Sequence, residues 1–196
     1  MHTYVYMIRH VESPKEGPDR LRGLTDKGRA DAERITELLR EEGIDVFASS
    51  PYRRAVLTVQ GLADEAGKEM LLFEDLKEQV FSAEETRMPD KELMPLIHRL
   101  YAEPGFSLPD GESNQACQTR AVAVLNQLLE TYAGQRIAIG THGAVMALMM
   151  GGYDPHYDLN FLLHTTKPDV YRMQFDGHQL MEVERLWPRR QSEEQG

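Results

Sequence analysis

The sequence predicts an α/β protein, a three-layer sandwich in which a mainly parallel central sheet is covered by helices on both faces. Short runs rich in β-branched and aromatic residues alternate along the chain with longer segments whose apolar residues recur at helical spacing. Strands that alternate with helices favour parallel pairing, because each helix returns the chain to the start of the next strand. Ligands of such sheets bind beyond the carboxyl ends of the strands, so the residues there are candidates for function.

The predicted strands are short apolar runs with turn residues at their ends. The last two are separated only by Asp176-Gly177-His178, a sequence typical of a tight turn. In chain order the predicted strands are residues 3–8, 45–48, 69–73, 136–140, 170–175 and 179–184.

The predicted helices lie between these strands and have recognisable ends. Thr25 is a suitable N-cap, Gly43 stands where a C-cap glycine would follow, and Ser50 with Pro51 resembles a second helix start. Ser113 has the character of a cap before the helix with the clearest apolar stripe. The predicted helices are residues 25–42, 50–66, 90–101, 113–132 and 143–150.

Residues 74–110 interrupt the alternation and contain four prolines. A proline-rich stretch with a single predicted helix is typical of a lid-like excursion over one end of a sheet. We expect it to form the outer part of a pocket, with His98, Arg99, Tyr101 and Phe106 as candidate contacts.

Composition bounds the class of function. The chain has 196 residues, 41% hydrophobic and 28% charged, so one domain is expected over residues 1–187, with a polar tail at 188–196. With 22 Lys and Arg against 32 Asp and Glu the net charge is −10, which disfavours nucleic acid and membrane surfaces as partners. No secretory signal or membrane-length apolar run is apparent. The single Cys117 cannot form an internal disulfide, so a cytoplasmic protein is expected.

Two histidines and two arginines follow the predicted strands. Arg9 and His10 follow the first strand, Arg54 the second, and His142 the fourth. Arginine binds oxyanions through a planar fork of donors, and the helix predicted to begin at Gly143 adds backbone N–H groups with a positive dipole end. Because the carboxyl ends of parallel strands meet at one edge, the sequence predicts an anion site there, with phosphate as the favoured ligand.

Six short motifs in a fixed order carry a resemblance to a known family. They are Ile8-Arg9-His10-Val11-Glu12-Ser13, Leu24-Thr25-Asp26-Lys27-Gly28, Ser50-Pro51-Tyr52-Arg53-Arg54-Ala55 with Thr58, Leu76-Lys77-Glu78, Pro109-Asp110-Gly111-Glu112-Ser113 and Thr141-His142-Gly143. Together they resemble the signatures of the histidine phosphatase superfamily, the phosphoglycerate-mutase-like group. Each motif alone is weak, but six in family order over residues 3–150 are specific. The resemblance implies the phosphoglycerate-mutase-like version of the predicted sandwich.

The resemblance also implies a role for each matched residue. His10 would be the nucleophile that takes the phosphoryl group, while Arg9 and Arg54 would bind its oxygens. His142 would donate to the same oxygens. Glu78 would protonate the leaving alkoxide and then take a proton from the attacking water.

The chemistry of phosphate esters agrees with these roles. Neutral imidazole is a competent nucleophile when its other nitrogen is fixed by a hydrogen bond. The transition state spreads charge over the phosphoryl oxygens, so positioning and electrostatics do most of the catalysis. An alkoxide leaves poorly, so a positioned acid accelerates its departure by ~10²–10⁴.

The chain departs from the family pattern near the nucleophile. Val11 stands where the family most often has Gly, so this loop must use ordinary backbone dihedrals. Glu16 occupies the position of a common Asn, and Ser13 or Lys15 is the candidate replacement. The loop from His10 to the first helix is short, and a Trp-Glu-Gly-like segment after the acid is absent.

Several of these residues also have structural interpretations. Arg53 reads as a solvated helix residue, and Cys117 as a buried, inert thiol. The acids that compete with Glu78 for its role are Glu74, Asp75, Glu84 and Glu85. A metal held by the two histidines would lack a third ligand and be repelled by the adjacent arginines, so neither a metal nor a cofactor is expected.

Three functions therefore remain in view. The first is a metal-independent phosphatase that acts on a small-molecule phosphomonoester through phospho-His10 and releases inorganic phosphate. The second is a cofactor-dependent phosphoglycerate mutase, which the short loop and the absent segment argue against. The third is a module that binds phosphate or a phosphoprotein without chemistry. Sugar phosphates, phosphoglycerates, nucleotides and phosphopeptides stay open as ligands.

Overall fold

The computed structural model describes residues 1–83 and 87–187. Its strands are β1 (His2–Arg9), β2 (Val46–Ser49), β3 (Met70–Leu72), β4 (Arg136–Thr141), β5 (Asp169–Asp176) and β6 (Gln179–Arg185). Its helices are α1 (Asp26–Leu39), α2 (Arg53–Glu65), α3 (Asp90–Ala102), α4 (Asn114–Thr131), α5 (Gly143–Gly151) and α6 (Leu159–His164). The strands form one sheet in the order β3-β2-β4-β1-β5-β6.

The sheet is mixed, with its parallel part on the side of the first four strands. β1 pairs in parallel with β4, β4 with β2, and β2 with β3. β5 runs antiparallel to β1, and β6 antiparallel to β5. The α/β sandwich with a mainly parallel sheet, predicted from the alternation of periods, is therefore confirmed.

Both faces of the sheet are buried because successive side chains of a strand point to opposite sides. On β1, Val5 and Met7 pack into a cluster that includes residues of α4 and α5. Tyr6 and Ile8 pack into a second cluster, with residues of α1 and α2. All four side chains are fully buried, and burial of such a side chain contributes about 1.5–3 kcal/mol.

Two helices differ from the sequence prediction. α2 begins at Arg53, not at Ser50, and the Ser50 hydroxyl accepts the N–H of Tyr52 at 3.2 Å within a turn. Ser and Pro are as common in turns as at helix starts, so local composition does not distinguish the two. α6 lies in a stretch for which no element is predicted; Asp158 caps it by accepting the N–H of Phe161.

The excursion over residues 74–110 contains α3 and returns to the core at α4. Ser113 caps α4 by accepting the N–H of Ala116, as predicted. Glu84 and Glu85 lie outside the described residues, as does the tail at 188–196. In the described ranges, no helix has both the length and the apolar character needed to cross a membrane.

The start of α1 holds the loop that follows β1. Thr25 caps the helix by accepting the N–H of Gly28 at 3.0 Å, and its own N–H donates to the carbonyl of Glu12 at 3.2 Å. A Cβ atom at Gly28 would lie 2.1 Å from that carbonyl oxygen. The glycine of this motif is therefore required by the close approach of the helix to the loop backbone.

We expect Gly28→Ala to destabilise the protein by about 1–3 kcal/mol, because backbone must move to admit the methyl group. Urea unfolding followed by circular dichroism measures the change. Gly105→Ala is the matched control, since its nearest atom would be 4.0 Å away. Equal midpoints for the two variants would contradict the close packing of α1 on this loop.

Candidate active site

The carboxyl ends of β1, β2 and β4 bring three loop starts together. The N–H of His10 donates to the carbonyl of Thr141 at 2.9 Å, and the N–H of Ser50 donates to that of Gly140 at 2.9 Å. The rings of His10 and His142 have centroids 5.2 Å apart, in an edge arrangement. The juxtaposition expected from the sheet topology is present.

Hydrogen bonds fix the orientation of His10. Its Nδ1 lies 2.7 Å from the carbonyl oxygen of Val11, so this nitrogen carries the proton and donates. Its Nε2 accepts from Nε of Arg54 at 3.3 Å. Burial, followed by the charges of Arg54 and Lys167, lowers the pKa of His10 well below its ordinary value. The ring is therefore neutral at physiological pH, with the Nε2 lone pair directed toward Arg54.

Val11 needs no unusual backbone conformation in this loop. Among the described non-glycine residues only Asp110 has a positive φ. The N–H of Val11 donates to Oγ1 of Thr58 at 3.1 Å, and its side chain is fully buried. The expectation of ordinary dihedrals at this departure from the family pattern is confirmed.

Arg54 is held from the start of α2. Its Nη1 donates to the carbonyl of Asp19 at 2.6 Å and lies 3.2 Å from the carboxylate Oδ1 of the same residue. Its guanidinium also lies over the Tyr52 ring, 5.0 Å from the centroid. Arg53, by contrast, is exposed, in agreement with its interpretation as a solvated helix residue. Of the two arginines, the buried one is therefore the one beside His10.

Arg9 packs against the first turn of α5. A Cβ atom at Gly143 would lie 2.7 Å from Cζ of Arg9, so the glycine makes room for the guanidinium. Nη1 of Arg9 donates to the hydroxyl of Thr165, and its buried Nε has no hydrogen-bond partner among the described residues. At this helix start it is Ala144, rather than Gly143, that lines the cleft.

His142 lies behind His10 and is fully buried. Its Nε2 lies 2.8 Å from Oγ of Ser50, and its Nδ1 is buried without a partner in the described part of the chain. The ring of Tyr52 packs edge-on against it, with centroids 5.1 Å apart. Burial and the Arg54 charge lower the pKa of His142 well below its ordinary value, so this ring is also neutral.

Glu78 lines the cleft, as do the carboxylates of Glu12, Asp19 and Asp90. Its Oε1 accepts the backbone N–H of Gln79 at 2.9 Å and that of Val145 at 3.2 Å. Glu74 is exposed and pairs with Arg20, and neither Glu74 nor Asp75 lines the cleft. Among the described competitors, Glu78 alone therefore lines the cleft with His10, whereas the predicted phosphate ligand His142 is buried and does not line it.

Two cations of the site were not predicted. Lys167 opens toward the cleft from the loop before β5; burial, then the charges of Arg9 and Arg87, lower its pKa to about 8. Arg22 is buried in the cleft wall, where it donates to the carbonyl of Pro14 at 2.8 Å. Arg22 stands just before a recognised motif. Lys167 belongs to no motif, so no sequence pattern indicated that Lys167 lies at the site.

The two replacements suggested for the missing Asn are engaged elsewhere. Ser13 lines the cleft, but its hydroxyl donates to the carbonyl of Gly23 at 2.6 Å. Lys15 is exposed and lies 3.6 Å from the carboxylate of Asp90. Arg22 is engaged as well, with Asp19 and the carbonyl of Pro14, so Lys167 is the better candidate for an additional anion ligand.

The cleft has a volume of about 1100 Å³ and receives side chains from the 74–110 excursion, as predicted. The contributing residues differ from the prediction. None of His98, Arg99, Tyr101 and Phe106 lines the cleft; Arg99 instead stacks on Phe106, with Cζ 3.6 Å from the ring centroid. The opposite face of α3 contributes Leu93, Met94 and Ile97 to the lining of the cleft, because α3 is amphipathic.

The remaining candidate features of the sequence are a metal-binding cluster and the thiol of Cys117. Across residues 1–83 and 87–187 no three His, Cys, Asp or Glu side chains are grouped to hold a metal ion. Cys117 is fully buried, and burial raises the pKa of its thiol. The structure thus agrees with the interpretation of Cys117 as a packing residue.

Known proteins resemble the chain in both sequence and structure. Phosphoglycerate mutase-like protein 4 of Arabidopsis thaliana is 26% identical over 185 residues, which cover 88% of this chain and 80% of that protein. A probable phosphoglycerate mutase GpmB of Enterobacter is 28% identical over 155 residues, covering 74% and 72%.

Solved structures share the fold. Phosphoserine phosphatase of Entamoeba histolytica, in complex with 3-phosphoglyceric acid, has a TM-score of 0.74 at 22% identity, covering 92% of this chain and 96% of that one. YhfR of Bacillus stearothermophilus has a TM-score of 0.75 at 21% identity, covering 91% and 94%. The sequence model of the histidine phosphatase superfamily (branch 1) matches residues 5–185. The resemblance carried by the six motifs is confirmed, and the chain belongs to the histidine phosphatase superfamily.

Proposed function

We propose that the protein hydrolyses small-molecule phosphomonoesters without a metal ion, by transferring the phosphoryl group to Nε2 of His10. The observation that carries this proposal is the neutral His10 ring, whose lone pair opens onto a cluster of cations at the base of a cleft. Imidazole in this tautomer is a nucleophile, and the adjacent cations match the charge of a phosphoryl group. Those cations also repel a metal ion.

The first step forms a phosphohistidine. The Nε2 lone pair of His10 attacks phosphorus, the bond from phosphorus to the alcohol oxygen breaks, and Glu78 gives its proton to the departing oxygen. The ring gains positive charge as this bond forms, and the Val11 carbonyl at Nδ1 stabilises it. In the second step water attacks phosphorus, Glu78 takes the proton, and His10 leaves as the neutral ring with inorganic phosphate.

Four side chains are proposed to hold the phosphoryl oxygens. Arg9 has a buried Nε–H without a partner among the described residues, and Arg54 already donates to the nucleophilic nitrogen. Lys167 adds a third positive charge from the β5 side. His142 can donate through Nδ1 when the Ser50 hydroxyl donates to its Nε2, a tautomer that fits the 2.8 Å contact.

A phosphoglycerate mutase is the second candidate, because sequence relatives carry that name. A mutase would return the phosphoryl group from His10 to another hydroxyl, whereas a phosphatase delivers it to water. Conversion of 3- to 2-phosphoglycerate in the presence of 2,3-bisphosphoglycerate, without release of phosphate, would replace the hydrolase proposal. A non-catalytic phosphate-binding module is the third candidate, and covalent trapping separates it from both.

We expect His10→Ala to abolish turnover of p-nitrophenyl phosphate in the presence of EDTA. Rapid quench should trap an acid-labile phosphoprotein from the wild type and none from His10→Ala. The reason is that no other histidine of the described residues lines the cleft. His156→Ala, at an exposed histidine outside the cleft, is the matched control and should keep full activity. An active His10→Ala protein would refute the proposed nucleophile.

Glu78→Gln should lower kcat by about 10²–10⁴ for alkyl phosphates, whose alkoxides need a proton to leave. The loss should be much smaller for p-nitrophenyl phosphate, since nitrophenolate leaves without protonation. Glu74→Gln, at the neighbouring exposed carboxylate, serves as the control. Equal losses on both substrates would argue that Glu78 does not act as the acid.

The lowered pKa of Lys167 predicts that activity declines at alkaline pH. Its ammonium group is charged below its pKa of about 8, so phosphate binding weakens as pH rises through that value. A charge-assisted contact is worth about 1.5–3 kcal/mol, so kcat/KM should fall roughly 10- to 100-fold between its neutral and alkaline plateaus. Lys167→Met should show the low value throughout, and Lys68→Met should behave like the wild type. A decline that persists in Lys167→Met would assign it to another group.

A further inference from the structure

Exposed apolar side chains are concentrated at the mouth of the cleft. Seven large hydrophobic residues are exposed in the described ranges, and three of them line this one cleft. These three are Leu21, Met94 and Leu163, with exposed fractions of 65%, 38% and 45%. They come from three segments distant in sequence, so their meeting is a property of the fold rather than of local composition.

Further apolar side chains continue this surface into the cleft. Leu93 and Ile97 of α3 and Leu162 of α6 line the same cavity and are partly exposed to it. Large apolar surface that faces a concave site commonly marks the part of a pocket that receives the apolar portion of a ligand.

Three cations that line the cleft, Lys15, Arg20 and Arg87, are paired with carboxylates among the described residues. Lys15 and Arg87 both lie against the carboxylate of Asp90. Arg20 pairs with Glu74 in the same way. A second anionic group on a substrate would have to compete with Asp90 and Glu74 for these three cations.

Lys167 differs from these three cations in this respect. In the described part of the chain no carboxylate lies within ion-pair distance of Lys167, and its charge acts on His10 and Arg9. Its positive charge therefore belongs with the phosphoryl site. The described lining of the cleft therefore combines the cations around His10 with exposed apolar side chains and with cations already paired to carboxylates.

We propose that the outer cleft binds an apolar alcohol moiety, so that the substrate class is the phosphomonoester of an alkyl or aryl alcohol without a second charged group. This inference rests on the proposed phosphatase function, which places the phosphate at His10. The leaving alcohol then extends from Glu78 toward α3 and α6, where Met94 and Leu163 contact it.

An n-alkyl phosphate series tests this inference with leaving groups of nearly equal acidity. Full burial of a methylene group is worth about 0.8 kcal/mol, or about fourfold, and contact on one side is worth about half of that energy, or roughly twofold. We expect kcat/KM to rise roughly twofold per methylene from ethyl to octyl phosphate. Glycerol phosphate and 3-phosphoglycerate, which are polar in the same region, should react at least tenfold more slowly than butyl phosphate.

The double variant Met94→Gln with Leu163→Gln should flatten the dependence of kcat/KM on chain length from ethyl to octyl phosphate. Glutamine keeps the length and helix propensity of these exposed positions, so the fold is preserved. The matched control is Leu38→Gln with Met181→Gln, two exposed apolar residues that do not line the cleft; it should keep the full chain-length dependence.

Binding of n-alkylphosphonates, measured by calorimetry, separates failure of this inference from failure of the proposed function. These compounds have no cleavable phosphate ester, so their affinity reports the outer cleft whether or not the protein turns over esters. Affinity that rises with chain length in the wild type and not in the double variant supports the inference even if no ester is hydrolysed. Hydrolysis without any chain-length dependence of rate or affinity would overturn it and leave the phosphatase proposal standing.

Discussion

The site depends on how the backbone of residue 11 is held. The Val11 carbonyl accepts from Nδ1 of His10, and the Val11 N–H donates to Oγ1 of Thr58. The Thr58 hydroxyl in turn donates to the carbonyl of Arg54 at 2.7 Å. Arg54 closes the ring of contacts by donating to the other nitrogen of His10. A buried group in this loop that lost its partner would cost about 1–3 kcal/mol. The imidazole is therefore fixed at both nitrogens by the contacts between α2 and the loop after β1.

Positive charge is concentrated at the cleft of this otherwise acidic protein. The chain carries a net charge of −10, yet the base of the cleft gathers Arg9, Arg54 and Lys167. An anionic substrate gains little from the long-range field of such a protein, because the net charge opposes its approach. Affinity must come from short contacts at the base and from the apolar surface above. The pairing of Asp19 with Arg54 places one carboxylate beside these cations and limits their mutual repulsion.

The fold and the centre of the site could be predicted from the sequence because both depend on local patterns of residues. The alternation of strand and helix periods gave the sandwich, and motifs after strands located His10, Arg54 and His142. The start of α2 was misplaced because Ser50 is favoured equally by turns and by helix caps, and only contact with His142 distinguishes them. Lys167 escaped prediction because its position follows from the antiparallel addition of β5 beside β1, a long-range pairing without a local signal.

The buried state of Cys117 has a consequence for the conditions under which this protein can work. It is the only thiol in the chain, it has no exposed surface, and burial raises its pKa, so it offers no thiolate to peroxide or disulfide reagents. The proposed nucleophile is a nitrogen, which such oxidants leave unchanged. The proposed nucleophile therefore needs no protection from thiol oxidants, in contrast to that of phosphatases that rely on a reactive sulfur.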